Sequence, residues 1–168
     1  FSSYLKKLNL QKGDRVAAYV PNKIETIICF LACAKNGIIW SSCSPDFGAQ
    51  GVVDRFKQIE PKVFITCDYY YYNGKKINIL DKVEEILKQI PSIKKVIAFN
   101  YNKQERESLK NFINFEETLK NDLDEVFERF EFNHPIYILF SSGTTGKPKC
   151  ITHGSGNVLI EHNKEFML

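Results

Sequence analysis

The sequence predicts an α/β fold, a mostly parallel sheet with flanking helices, and three observations carry that expectation. Short β-prone runs alternate with helical stretches from Arg15 to Phe99, the order that builds parallel strands through crossover helices. The stretch Ile24 to Lys35 is apolar on nearly every side, as a helix buried beneath or between sheets must be. In Ile79 to Ile90, residues Ile79, Leu80, Val83, Ile86, Leu87 and Ile90 fall at helical spacing, which predicts an amphipathic crossover helix.

Taken in order, Lys12-Gly13-Asp14 introduces a strand over Arg15 to Tyr19, and Pro21-Asn22 separates it from the apolar helix. Asn36-Gly37 closes that helix, and Ile38 to Ser41 reads as a second strand. Ser42 to Gly48 is a loop of small and polar residues around Pro45; a helix over Ala49 to Ile59 follows, ended by Pro61. Val63 to Cys67 is the third strand, Tyr69 to Asn78 an irregular aromatic tract, and Pro91 ends the next helix before a strand over Lys95 to Phe99. Asn100 to Asn111 is polar and without apolar period, a surface loop. A helix is expected around Asp122 to Phe130, then a strand over Ile136 to Phe140 and, from His162 to Leu168, residues that read as a helix in progress.

Composition narrows the function class. With 43% apolar residues in 168, the chain can bury an ordinary core and is expected to be soluble and globular. Its net charge is only +3 and its basic residues are dispersed, which disfavours a nucleic-acid partner. No apolar run approaches the ~20 residues of a bilayer span, so no membrane partner is expected. Cys29, Cys33, Cys43, Cys67 and Cys150 are odd in number and set in apolar surroundings, which points to a reducing, cytoplasmic compartment. Cys29 and Cys33 would share a helix face, but with no second Cys/His pair nearby they read as core residues and not as metal ligands. Phe1 in place of Met and the helix in progress at the other end suggest a fragment truncated at both ends.

The chemistry lies after the strand at Ile136 to Phe140, in Ser141-Ser142-Gly143-Thr144-Thr145-Gly146-Lys147-Pro148-Lys149. Glycines let backbone N–H groups converge on one centre, hydroxyls add donors and lysines add positive charge, a combination suited to a polyphosphate. The bland alternative is a flexible Ser/Gly/Thr turn. The G-x-x-x-x-G-K-[ST] phosphate loop does not fit, because Ser141 stands where its first glycine belongs and Pro148 follows Lys147. A kinase or GTPase of that type is therefore disfavoured.

Tyr137 to Lys149 resembles the signature loop of the adenylate-forming (AMP-binding) superfamily. The flanks, Asn133-His134-Pro135 and Cys150-Ile151-Thr152-His153-Gly154, resemble the acetoacetyl-CoA synthetase branch of its acyl-CoA synthetases. So do Ile38 to Gly48, Val53-Asp54-Arg55-Phe56 and Tyr72-Asn73-Gly74-Lys75. The superfamily usually has glycine at the position of Cys150, a departure that the acetoacetyl branch tolerates.

The resemblance implies a partial N-terminal domain, with the C-terminal domain outside the chain, of an ATP-dependent acid–thiol ligase. The enzyme would convert acetoacetate, ATP and CoA into acetoacetyl-CoA, AMP and pyrophosphate. It implies that Ser141, Ser142, Gly143, Thr144, Thr145, Gly146 and Lys149 hold the ATP phosphates, with Mg²⁺ sharing their charge; Lys147 sits at a variable position. It also implies that Ser44, Pro45, Asp46 and Phe47 line the CoA channel and that Lys75 meets a CoA phosphate. Tyr72 replaces a second basic residue there. No residue of this chain is assigned to the chemical step. His153 could be read as a base, but a strand-end histidine is commonly structural, and a carboxylate is already ionised at neutral pH. Trp40 reads as a core aromatic, and His134-Pro135 as a turn into the strand. Three alternatives stand beside this reading: an acetyl- or short-chain acyl-CoA synthetase, an adenylation domain that loads a carrier protein, and an inactive fragment with only binding or structural capacity.

Overall fold

The seven-stranded sheet at the centre of this molecule follows from its alternation of β-prone and helical segments. The computed structural model describes residues 1–103, 109, 111–120, 126–142 and 146–167. In chain order they form α1 (Ser2–Lys7), β1 (Arg15–Tyr19), α2 (Ile24–Lys35), β2 (Ile39–Cys43), α3 (Ala49–Ile59), β3 (Val63–Cys67), β4 (Tyr69–Tyr72), β5 (Lys75–Asn78), α4 (Leu80–Gln89), β6 (Lys95–Phe99), β7 (Ile113–Asn114), α5 (Phe115–Thr118), β8 (Pro135–Ser141), β9 (Lys149–Gly154) and α6 (Ser155–Met167). The strand order is β7-β6-β3-β1-β2-β8-β9, parallel throughout except for the antiparallel β8–β9 pair. The expected mostly parallel α/β sheet is therefore what the chain forms.

The central strands are apolar because both faces of the sheet are covered. Val16, Ala17, Ala18, Phe64, Ile65 and Ile97 are fully buried, and α3 and α4 add Val52, Phe56, Val83 and Ile86 to the same core. The lower edge is fixed by Asp14. Its carboxylate accepts from Lys62 Nζ and Gln11 N, both at 2.8 Å. Burial alone would raise its pKa, but these hydrogen bonds and the charges of Lys62 and Arg15 outweigh burial and hold it below the usual value.

Four expectations need correction. Tyr69 to Asn78 is not irregular: β4 and β5 pair antiparallel as a hairpin around Asn73 (φ 47°) and Gly74 (φ 73°). Asn-Gly adopts this doubly left-handed turn readily, and its twist matches that of the paired strands. The second strand lies over Ile39–Cys43, starting one residue and ending two residues later than expected. α2 is not buried on most of its circumference, because Ile24, Ile27 and Leu31, one stripe at i, i+3 and i+7, are 63%, 45% and 57% exposed.

The expected helix around 122–130 has no regular structure over 126–130, and residues 121–125 lie outside the described set. Side-chain contacts hold this segment in another path: the Phe130 ring stacks on His134 at 4.7 Å and Lys35 Nζ lies 4.4 Å from the Phe127 ring centre. Among the described residues no helix is long and apolar enough to cross a membrane.

Candidate functional site

Parallel α/β sheets gather their ligand-binding segments outside the carboxyl ends of the strands, and both groups of candidate residues emerge there. The Ser44–Phe47 segment leaves β2 as a tight turn. Ser44 Oγ donates to Asp46 Oδ2 at 3.0 Å, and Phe47 N donates to Ser44 O at 3.2 Å. The turn is pinned from below by Tyr19, the last residue of β1, whose hydroxyl lies 2.7 Å from both Pro45 O and Phe47 O. That single proton is shared between two carbonyls at a buried position. Burial first, then the neighbouring Tyr70 and Asp46, push the Tyr19 hydroxyl well above its ordinary pKa, so it stays a donor. Above the turn, the Arg55 guanidinium lies 4.4 Å from the Phe47 ring centre.

The β4–β5 hairpin borders the same turn. Tyr70 is buried, and its pKa is raised by burial and then by its hydrogen bond with Asp46. Lys75 is exposed beside the Asn73-Gly74 bend, opposite Tyr72. The structure thus brings Ser44, Pro45, Asp46 and Phe47 into one turn and the Lys75 hairpin against it through Tyr70. Four consecutive tyrosines running into Asn73-Gly74 are a hairpin signal present in the sequence.

The serine- and glycine-rich loop joins β8 to β9. Ser141 and Lys149 are paired across its neck, which places the Ser141 and Lys149 ends of the loop side by side. Ser142, Gly146, Lys147 and Lys149 are exposed, and Gly146 has φ 129°. Gly143, Thr144 and Thr145 lie outside the described residues. The contacts of the loop's base run to α3: Gln58 Nε2 donates to Pro148 O at 2.9 Å. A cleft of about 470 Å³ lies alongside, lined by Asp54, Lys57, Gln58 and Lys147 among others.

The remaining candidates sit in packing and hydrogen-bond contacts of the fold. His134 Nε2 lies 3.0 Å from Gly37 O, and His153 packs against Tyr137 at 4.9 Å between ring centres. Trp40 is buried and meets Phe30 edge-on at 6.2 Å. Cys29, Cys33, Cys43 and Cys67 are buried, and burial raises their pKa values, that of Cys43 to about 11. Among the described residues no three His, Cys, Asp or Glu side chains converge to hold a metal ion. The loop's donors are hydroxyls, amides and ammonium groups, which suit anionic oxygens and not a cation.

Three comparisons with known proteins bear on this arrangement. The family described as "AMP-binding enzyme" matches residues 1–165. The chain is 47% identical over 167 residues to an acetoacetyl-coenzyme A synthetase of Rhizobium meliloti, covering 96% of this chain and 25% of that protein. It is 38% identical over 178 residues to a malonamoyl-CoA synthetase of Penicillium aethiopicum, covering 99% of this chain and 24% of that protein. A solved structure of acetoacetyl-CoA synthetase from Streptomyces lividans superposes with a TM-score of 0.93 at 39% identity, over 99% of this chain and 26% of its own. The chain spans about a quarter of the length of the relatives it matches.

Proposed function

The chain belongs to the AMP-binding enzyme family, and from that premise we propose that its parent protein is an ATP-dependent acid–thiol ligase that makes acetoacetyl-CoA. The observation that carries this reading is the likeness to acetoacetyl-CoA synthetases along almost the whole chain, in sequence and in backbone. In the first half-reaction a carboxylate oxygen of acetoacetate attacks the α-phosphorus of ATP. The bond from that phosphorus to the bridging oxygen breaks, and pyrophosphate leaves. In the second, the sulfur of CoA attacks the acyl carbon, the acyl–oxygen bond breaks, AMP departs and the thiol proton is released. Adenylation is needed because oxide is too poor a leaving group for direct thioester formation.

This chain's share is to hold and orient. Ser141, Ser142, Gly143, Thr144, Thr145, Gly146 and Lys149 take the β- and γ-phosphates, offering hydroxyl and amide donors and one ammonium to the charge that builds on departing pyrophosphate. A Mg²⁺ ion accompanying ATP would supply further positive charge there, while the hydroxyl, amide and ammonium donors of this loop would hold the phosphates themselves. Ser44, Pro45, Asp46 and Phe47 line the path of CoA, and Lys75 meets one of its phosphates. The chain is part of the AMP-binding N-terminal domain, and the C-terminal domain lies outside it. The exposed α2 stripe of Ile24, Ile27 and Leu31 supports this, because apolar rows of that kind are normally covered by further protein.

The malonamoyl-CoA synthetase similarity supports a second reading of the acid. Acetoacetate and malonamate both carry a carbonyl two carbons from the carboxylate, so the substrate class is a 3-carbonyl carboxylate. The parent incubated with ATP, CoA and either acid, with products identified by mass spectrometry, tests both readings. The expected outcome is acetoacetyl-CoA with equal amounts of AMP and pyrophosphate. Thioester from malonamate alone would move the substrate to the second acid, and ADP with orthophosphate would refute adenylation.

A further inference from the structure

The base of the β8–β9 loop is held by one side chain from another element. Gln58, on the last turn of α3, uses both of its amide protons: Nε2 donates to Pro148 O at 2.9 Å and to Asp54 O, one turn back on its own helix, at 2.6 Å. Its Oε1 accepts from Cys150 Sγ at 3.6 Å, within the longer reach of a sulfur donor. Burial raises the Cys150 pKa, so the thiol keeps its proton and remains a donor at neutral pH. The two residues gripped, Pro148 and Cys150, stand on either side of Lys149.

We propose that Gln58 and Cys150 form a latch that positions Lys149, with Gln58 tied to α3 and the loop's exit strand tied to Gln58. Successive side chains of a strand point to opposite faces. With Cys150 turned towards α3, Lys149 projects from the other face, while its backbone stays paired with Ser141. Gln58 is fixed at its own end by Asp54 O, so the strand is held against a helix whose apolar face is in the core: Val52, Val53, Phe56 and Ile59 are buried. The latch acts through Lys149, and it gives Cys150 a role that a residue without a side-chain donor at this position would not fill.

The proposal rests on the phosphate-binding reading of the loop, and two readouts on the full-length parent separate them. The first needs no ligand. Gln58→Met keeps the length of the side chain but removes its donors and acceptor, and Gln58→Ser is the second variant should Met disturb folding. Hydrogen exchange at the Lys149 and Cys150 amides is expected to speed up about 3–10-fold in either variant, the range one hydrogen bond supports, with exchange in α4 unchanged. The second readout is kinetic: the rate of the adenylation half-reaction falls by about the same factor, because a displaced Lys149 stabilises less of the charge on departing pyrophosphate, with the KM for CoA within twofold.

Cys150→Ala is expected to show smaller changes in both readouts, and the Gln58→Met/Cys150→Ala double variant is expected to be no worse than Gln58→Met alone, since both act through one contact. Unchanged exchange at Lys149 in the Gln58 variants would overturn the latch. So would multiplicative effects in the double variant. Faster exchange in a parent that shows no adenylation with any acid would overturn the functional reading and leave the latch standing as a structural device.

Discussion

A single hydroxyl decides the shape of the turn at Ser44 to Phe47. Tyr19 ends β1 inside the core, yet its Oη reaches two backbone carbonyls of the next loop at 2.7 Å each. Removing it leaves both carbonyls short of a donor in a buried place, which costs about 1–3 kcal/mol. Tyr19→Phe in the parent is therefore expected to lower the unfolding free energy by that amount in urea titration. It is also expected to raise the KM for CoA several-fold while the KM for ATP stays within twofold. Equal effects on both would detach the turn from CoA. His134 and His153, of a residue type associated with catalysis, are engaged in the fold: one lies 3.0 Å from the Gly37 carbonyl and the other packs against the Tyr137 ring.

At the scale of elements, the bend after α2 ties the amino-terminal half to the strand that carries the loop. Gly37 has φ 66°, its carbonyl receives Gly13 N at 2.9 Å and its Cα faces the Phe130 ring, so that an added Cβ would come within 2.5 Å of a ring carbon. Gly37→Ala is expected to destabilise the fold by about 1–3 kcal/mol through left-handed strain and the displaced ring, read as a lower urea midpoint. An unchanged midpoint would mean that Phe130 yields freely.

The elements legible in the sequence were those with one dominant cause. β1, α2, α3, β3 and β6 begin and end at the residues expected, because Pro, Gly and periodicity all agree there. The β4–β5 hairpin is obscured in the sequence although Asn73-Gly74 announces it, since four aromatic residues in a row hide a period of two. The expected helix near 122–130 failed because tertiary contacts of Phe127 and Phe130 outweigh a modest helical preference. The short α1, β7 and α5 carry too few residues for a pattern, although Asn114 does cap α5, accepting from Glu116 N at 2.9 Å.

For the whole molecule, the candidate site was legible as composition and not as geometry. The serines, glycines and lysines of 141–149 marked a phosphate loop, but nothing in their order revealed that its exit is held by Gln58, ninety residues earlier in the chain. Nor did the all-round apolar character of Ile24 to Lys35 reveal that one stripe would face outward. A sequence records what a helix can bury, and only the fold records what is there to cover it.

The central claim is that the parent activates a carboxylate by adenylation on a loop that holds the phosphates of ATP. It is tested most directly by exchange of labelled pyrophosphate into ATP, driven by acetoacetate in the absence of CoA, in the parent and in its Lys149→Ala variant. The account predicts acetoacetate-dependent exchange that falls about 100-fold or more in the variant, the scale of losing one charge-stabilising donor at a reacting phosphate. Exchange with another acid would keep the mechanism and change the substrate. No exchange with any acid, or undiminished exchange in Lys149→Ala, would contradict the account.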